Sequence, residues 1–224
     1  MPASADAPPT IGIDPSAEFE RFELGAGSWV DIARGWLLGA DALYEHLQTT
    51  MPWRQGRVWR YERWIDEPRL GAGFPIARAP HPVFADVRRS LRARYAVDFD
   101  GFGLAYYRDA RDSVAMHRDR EMRWLDDTIV AILTTGARRP FVIQPRSSRG
   151  TDGARDLSPA GGDLLVLGGR FQADWLHGVP KVRTAVHGRI SVQMRHTTGR
   201  GRPEAGPGYR APREFSRGAT RGAR

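Results

Sequence analysis

The sequence predicts a mainly β fold with flanking helices, an α+β arrangement built around a sandwich or barrel of strands. Apolar residues at helical spacing occur in two stretches, both before residue 100. From residue 102 onward, short apolar runs alternate with turn residues, as in all-β sandwiches and barrels. A chain of 224 residues that is 41% hydrophobic can bury one substantial core. We therefore expect a single domain.

Two helices are expected before residue 100. Residues 40–47 place Leu43 and Leu47 on one helical face. The second helix is expected to begin at Pro82, a residue favoured in the first turn, and to run to about Tyr95 with its apolar residues inward. We expect both helices to support the strands.

The strands expected after residue 100 are short and bounded by turn residues. Gly161 and Gly162 precede one apolar run, and Gly168 and Gly169 follow it, so this run is expected to be a buried strand. The predicted strands cover residues 102–107, 114–119, 128–133, 140–143, 163–167, 173–176 and 189–194.

The two ends of the chain differ in composition from the middle. Residues 1–17 are rich in Ala, Pro and Ser, and residues 197–224 alternate Gly, Pro and Arg without apolar clusters. We expect a disordered N-terminal segment over 1–17 and a basic disordered tail over 197–224. Between them, residues 18–100 are expected to form a helical support, and residues 101–196 the β core of the same domain.

The composition excludes several kinds of site. The chain has no cysteine, which excludes disulfides, cysteine-ligated zinc, iron–sulfur clusters and thiol nucleophiles. Any metal site must therefore use histidine and carboxylate ligands. Residues 1–9 lack the pattern of a secretory signal, and the chain has no long apolar span. We expect a cytoplasmic protein without a membrane association.

The chain is strongly basic, with a net charge of +8. This charge favours a polyanionic partner, and nucleic acid is the leading candidate, because each neutralised phosphate releases counterions. Nearly all of the positive charge is arginine, and Lys181 is the only lysine. Codon bias in a GC-rich genome would give the same composition, which leaves a second explanation open.

A His-x-Asp pair and a distant histidine are candidate metal ligands. Strand alternation places His117 and Asp119 on the same face. His177 closes another strand-like run and is the best third ligand, although a strand-end histidine can also simply bond to backbone. Two imidazoles and one carboxylate on one side of Fe(II) would leave positions open for a co-substrate and O₂.

Two arginines are candidate anion ligands. Arg189 and Arg195 are six residues apart on one strand-like run, so they share a face. Two inward guanidiniums suit a dicarboxylate, because a buried arginine is costly unless paired and its planar fork matches a carboxylate. Arginine is abundant here, so this pair is weak evidence in isolation.

The order of these five residues, after a helical N-terminal part, resembles the Fe(II)/2-oxoglutarate-dependent dioxygenases, and more narrowly the AlkB family of nucleic-acid demethylases. The resemblance covers about residues 35–197, and further motifs match the family. These are Pro68-Arg69-Leu70, Tyr107 ten residues before the first ligand, the His-Arg-Asp-x-Glu form at residues 117–121, and the closing Arg-x-x-x-x-x-Arg. Ala105 and Ala110 depart from the family pattern, which has Asn and Gly at these positions.

The resemblance implies a double-stranded β-helix core, also called a jelly roll or cupin-like fold. It implies Fe(II) held by His117, Asp119 and His177, with 2-oxoglutarate and O₂ as co-substrates. Arg189, assisted by Tyr107, would bind the far carboxylate of 2-oxoglutarate. Arg195 would serve its metal-side end, or the two arginines would exchange these roles.

The resemblance also implies a reaction and a substrate. The family removes methyl groups oxidatively from N-alkylated bases such as 1-methyladenine and 3-methylcytosine, and it releases formaldehyde, succinate and CO₂. Because a base inside a duplex cannot reach the metal, it would be flipped out. Glu121 would face the cationic damaged base. Residues 51–74 would form a recognition lid in which Trp53 and Arg54 contact the nucleic acid, although a tryptophan in such a run is more often core.

The resemblance leaves the substrate and the chemistry open. We expect a monomer that repairs alkylated nucleic acid, with DNA the favoured substrate. One alternative is a 2-oxoglutarate oxygenase that acts on RNA, protein or a small molecule, since one fold hosts many functions. A second alternative is a basic barrel that binds nucleic acid without catalysis.

Overall fold

Two antiparallel β-sheets form the centre of the fold in the computed structural model, which describes residues 10–184, 186–204 and 213–215. The helices are α1 (Ala40–Thr50), α2 (Val83–Tyr95) and the short α3 (Phe171–Asp174). The strands are β1 (Gly12–Ile13), β2 (Phe19–Gly25), β3 (Ser28–Ala33), β4 (Leu37–Leu38), β5 (Arg54–Arg60), β6 (Arg63–Pro75), β7 (Gly101–Tyr107), β8 (Val114–His117), β9 (Thr128–Gly136), β10 (Val142–Pro145), β11 (Arg155–Asp156), β12 (Leu164–Gly169), β13 (Trp175–Val179), β14 (Arg189–Thr197) and β15 (Arg213–Phe215).

The larger sheet has nine strands in the order β15-β5-β6-β7-β14-β9-β12-β3-β2. The smaller sheet has four strands in the order β11-β10-β13-β8. Strands β1 and β4 pair separately. The smaller sheet carries the metal-ligand candidates His117 and His177. The larger sheet carries Arg189 and Arg195.

Strand alternation divides the core into two layers. On one face of the larger sheet, Leu104 and Leu133 pack with Leu43 and Phe84 of the helices. We call this layer the helix-side core. On the other face, residues such as Tyr107 pack against the smaller sheet, and we call this layer the inner core. Strands such as β12 are apolar throughout because both of their faces are buried. The predicted jelly-roll core is confirmed.

The predicted helices are present, and one predicted strand is corrected. Helix α1 extends beyond its predicted end, and α2 begins one residue after Pro82. The strand predicted at residues 173–176 begins instead at Trp175, because the preceding residues form α3. The Arg170 carbonyl accepts the N–H of Asp174, and the two side chains also pair, which closes a helical turn that the apolar pattern does not distinguish from a strand.

The segment before the β core contains strands that were not predicted from the sequence. Strands β2, β3, β5 and β6 lie within residues 18–100, so the expected helical support also supplies part of the larger sheet. Polar residues fill the exposed positions of these strands, and this weakens their apolar pattern.

Parts of the two segments for which disorder was expected are paired. Strand β1 pairs with β4, and Ile11 and Ile13 pack against the helix-side core. Strand β15 pairs with β5 at the edge of the larger sheet. Residues 1–9, 205–212 and 216–224 lie outside the described part of the chain. Among the described residues, we find no helix with the length and apolar character needed to cross a bilayer.

Candidate metal centre and co-substrate pocket

Three side chains far apart in the sequence meet between the two sheets. His117 ends β8, Asp119 follows two residues later, and His177 lies in β13 directly opposite His117. One ligand atom from each residue lies within 4.8 Å of the others. The Asp119 Oδ1 atom is 3.5 Å from His117 Nε2 and 3.8 Å from His177 Nε2. The three residues lie together, as the sequence predicted.

Both imidazoles are set up to offer a nitrogen lone pair. The Nδ1 atom of His117 lies 2.9 Å from the Ala115 carbonyl, which can only accept a hydrogen bond, so Nδ1 carries the proton and Nε2 is left free. Burial, reinforced by the neighbouring His117, lowers the pKa of His177 to about 3. Neutral imidazole is the form that binds metals.

The Asp119 carboxylate is buried and held from two sides. Its Oδ2 atom accepts a 2.7 Å hydrogen bond from Arg195 Nε, and its backbone N–H donates to Gln172 Oε1 at 2.8 Å. Burial alone would raise the pKa of Asp119, but Arg195 and the two imidazoles hold this pKa well below its usual range. The carboxylate is therefore ionised and oriented. The structure places Arg195 beside a metal ligand, on the side that the resemblance implied.

Gln172 is a positioning residue that the sequence did not reveal. It lies in α3, is fully buried, and fixes the backbone at Asp119. Loss of such a partner of a metal ligand typically costs about 10–100-fold in metal affinity or activity. No motif marks this residue, because its role depends on the contact between α3 and the loop after β8.

Arg189 lies in the inner core with an unmet charge. Its guanidinium is fully buried, and the hydrogen bond that it donates to Thr134 Oγ1 is long at 3.4 Å. The Nε and Nη1 atoms have no acceptor among the described residues. Burial lowers the pKa of Arg189 to about 10, so the group stays protonated at neutral pH. A buried cation without a counter-ion is costly, so this pocket fits an anion.

Aromatic rings and a second guanidinium surround Arg189. Its guanidinium carbon lies 5.8 Å from the Tyr107 ring centre and 6.0 Å from that of Phe141. Arg139 lies 5.6 Å from the same ring centre and donates to the carbonyls of Asp109, Asp112 and Pro180. No sequence motif marks Arg139, since an arginine in a polar turn is usually exposed.

The donor set fits Fe(II) together with a dicarboxylate. The three candidate metal ligands are two imidazoles and one carboxylate, the combination that binds non-haem Fe(II) and leaves positions open. The orphaned nitrogens of Arg189 offer donors to a carboxylate within the same inner core. The residues present therefore match the group that the sequence predicted.

Glu121 and Arg54, two of the predicted substrate contacts, are both exposed. Glu121 is exposed in the 3-10 turn after Asp119. Burial lowers the pKa of Arg195, but Asp119, with a smaller contribution from the nearby Glu121, raises it overall. Arg54 is exposed on β5 and pairs with Gly71, which by strand alternation shares the face of the metal centre.

Trp53 lies away from the metal centre. Its ring packs 5.1 Å from the ring centre of Tyr106 in the helix-side core, and its Nε1 donates to the Gln48 carbonyl. This layer lies on the sheet face opposite the metal centre. The indole ring is partly buried there, and its polar N–H has a partner in the Gln48 carbonyl.

The comparison with protein families decides the assignment. A family model described as 2OG-Fe(II) oxygenase superfamily matches residues 76–200, more than half of the chain. The chain belongs to the 2OG-Fe(II) oxygenase superfamily. The matched region of this oxygenase superfamily member contains all three candidate metal ligands and both arginines.

Several curated proteins are similar to this chain in sequence. The chain is 29% identical over 174 residues to mouse "Alpha-ketoglutarate-dependent dioxygenase alkB homolog 3", with 70% of this chain and 61% of the relative covered. The human protein of the same name is 30% identical with the same coverage. Bovine "DNA oxidative demethylase ALKBH2" is 25% identical over 177 residues, covering 70% of this chain and 64% of that protein. The chain thus spans about three-fifths of these relatives. The predicted resemblance to the AlkB family is confirmed.

Proposed function

We propose that this protein is an Fe(II)/2-oxoglutarate-dependent dioxygenase that demethylates N-alkylated bases, such as 1-methyladenine and 3-methylcytosine, in DNA. The observation that carries the proposal is the convergence of His117, Asp119 and His177 beside the orphaned guanidinium of Arg189. When bound, Fe(II) and 2-oxoglutarate supply the activation of O₂, with succinate, CO₂ and formaldehyde as the products.

The protein contributes binding, orientation and a dry site. Arg189 binds the far carboxylate of 2-oxoglutarate, whose charge then compensates the buried guanidinium. Arg195 keeps Asp119 ionised and oriented. Tyr107 and Phe141 line the pocket around Arg189 with aromatic surface and exclude water from it.

Three observations support an alkylated nucleic acid as the substrate. The named relatives include a DNA oxidative demethylase. The net charge of +8 favours a polyanion. Glu121 places a carboxylate near Arg195, beside the metal centre, where it would attract a base that carries extra positive charge through alkylation. RNA, protein and small-molecule substrates are the rival possibilities within the same superfamily.

A turnover assay tests the proposal. We expect the protein with Fe(II) and 2-oxoglutarate to release formaldehyde and succinate from oligonucleotides containing 1-methyladenine or 3-methylcytosine. His117→Ala should reduce this turnover at least about 100-fold, because even partners of metal ligands contribute 10–100-fold. DNA and RNA oligonucleotides of the same sequence, both single-stranded and duplex, would rank the substrates.

Two results would contradict the proposal. Inactivity on every alkylated oligonucleotide, with 2-oxoglutarate still consumed, would favour another substrate class. Equal product formation by the wild type and His117→Ala, or none by either, would leave the basic nucleic-acid-binding barrel as the better account.

A further inference from the structure

A second charged cluster lies next to the metal centre but is not part of it. Arg118 stands between the two ligand candidates His117 and Asp119, and its side chain is 11% exposed. Its Nη2 atom donates to Oε1 of Glu204 at 2.6 Å. The Nη2 atom of Arg120 lies 3.3 Å from the same oxygen. We call Arg118, Arg120 and Arg146 the arginine cluster.

The arginine cluster has more positive charge than Glu204 balances. Burial, and next the charge of Arg146, lower the pKa of Arg118, which places a third guanidinium nearby. The Nε atom of Arg120 is buried and has no acceptor among the described residues. The neighbouring carboxylate of Asp174 is engaged by Arg170. Two guanidiniums therefore contact one carboxylate, a third lies close to Arg118, and one buried donor has no acceptor among the described residues.

We propose that the arginine cluster binds a backbone phosphodiester of the substrate strand, and that Glu204 occupies this site in the free protein. This inference rests on the proposed function, because it takes nucleic acid as the substrate. A phosphodiester carries one negative charge and accepts the arginine fork as a carboxylate does. Since Arg118 lies between two metal-ligand candidates, a phosphate bound there would fix the strand beside the reacting base.

The attachment of Glu204 is suited to displacement. Glu204 lies in the segment after β14, and its side chain is 25% exposed. Besides its ion pairs, its N–H donates to the Arg123 carbonyl. The ion pair of Glu204 with Arg120 is partly exposed and is worth little in water, and a phosphate that replaced Glu204 would supply a new partner for Arg118 and add the gain from counterion release. Glu204 is therefore an autoinhibitory contact that a strand can replace.

Glu204→Gln tests the competition directly. This variant keeps the shape of the side chain and removes its charge. We expect its affinity for a single-stranded oligonucleotide containing 1-methyladenine, measured by fluorescence anisotropy, to rise about threefold or more, and its salt dependence to steepen by about one phosphate contact. Glu45→Gln on the exposed surface of α1 is the matched control and should bind as the wild type does.

The arginines provide the opposite test. Arg120→Gln and Arg146→Gln should each weaken binding and reduce the slope of log affinity against log salt by about one. In the double variant Glu204→Gln/Arg120→Gln, most of the gain from the first change should disappear, because the two residues act at one site. Arg146 is exposed and has no ion pair with Glu204, so its replacement tests the site without disturbing that contact.

The outcomes separate the inference from the proposed function. If the wild type demethylates the oligonucleotide but Glu204→Gln binds no more tightly, the arginine cluster is not a phosphate site that Glu204 blocks. Unchanged affinity of both arginine variants would overturn the inference in the same way. If the wild type neither binds nor demethylates any oligonucleotide, the proposed function fails and the inference fails with it.

Discussion

His177→Ala is expected to reduce 2-oxoglutarate turnover by at least about 100-fold, since it removes one of three metal ligands from a buried site. The remaining two residues, His117 and Asp119, lie within two positions of each other and would hold Fe(II) from one side only. Succinate formation by the purified variant, loaded with Fe(II) under anaerobic conditions before O₂ is admitted, measures the effect.

The matched control is His187→Ala, because His187 is exposed and belongs to neither candidate site. It should retain the wild-type rate. Thermal denaturation of both variants checks that the loss comes from the ligand and not from unfolding. A His177→Ala variant that stays folded and turns over at the wild-type rate would show that this histidine only packs against Phe141 and Phe171.

Arg189→Met is expected to have opposite effects on binding and on stability. Truncating one partner of a buried, hydrogen-bonded charge pair costs about 2–5 kcal/mol, so the affinity for 2-oxoglutarate should fall by roughly 30-fold to several thousand-fold. Without 2-oxoglutarate, the same substitution removes an uncompensated buried cation and replaces it with an apolar side chain of similar length. The free energy of unfolding of the unliganded protein should therefore be unchanged or higher.

Calorimetric titration of 2-oxoglutarate into the Mn(II)-loaded protein measures the affinity, and chemical denaturation of the metal-free protein measures the stability. Arg138→Met is the matched control, because it makes the same replacement at an arginine that is exposed and not buried. Arg189→Met with wild-type affinity would mean that another group binds the far carboxylate. A large loss of stability in the unliganded protein would mean that Arg189 serves the fold.

The sequence predicted the core strands and the first ligands because both depend on local patterns. Apolar runs and turn glycines identify β9 and β12, and the short spacing of His117 and Asp119 keeps the two together although Asp119 lies beyond the end of β8. The pairing of His177 with His117 depends on the register between β13 and β8, which no local pattern encodes. The sequence indicated His177 as the best third ligand from its place at the end of a strand-like run, but it could not specify the pairing with His117.

Other features of the site depend on contacts between distant segments. Gln172 reaches Asp119 from α3, and Arg139 joins the carbonyls of residues 109, 112 and 180. Neither residue carries a motif. Trp53 was predicted at the nucleic-acid interface from its aromatic and basic neighbours, but composition does not specify the sheet face, and the indole packs in the helix-side core. These contacts become visible only when the strands are assembled.

The central claim is that two imidazoles and one carboxylate form a single ferrous site next to a pocket for 2-oxoglutarate. Anaerobic titration of Fe(II), followed by 2-oxoglutarate, tests it most directly through the visible charge-transfer absorption of a chelated 2-oxo acid. The wild type should bind one Fe(II) per chain and develop this absorption, and Asp119→Ala should do neither. A wild type that binds no Fe(II) stoichiometrically, or an Asp119→Ala variant that gives the same absorption as the wild type, would contradict the claim.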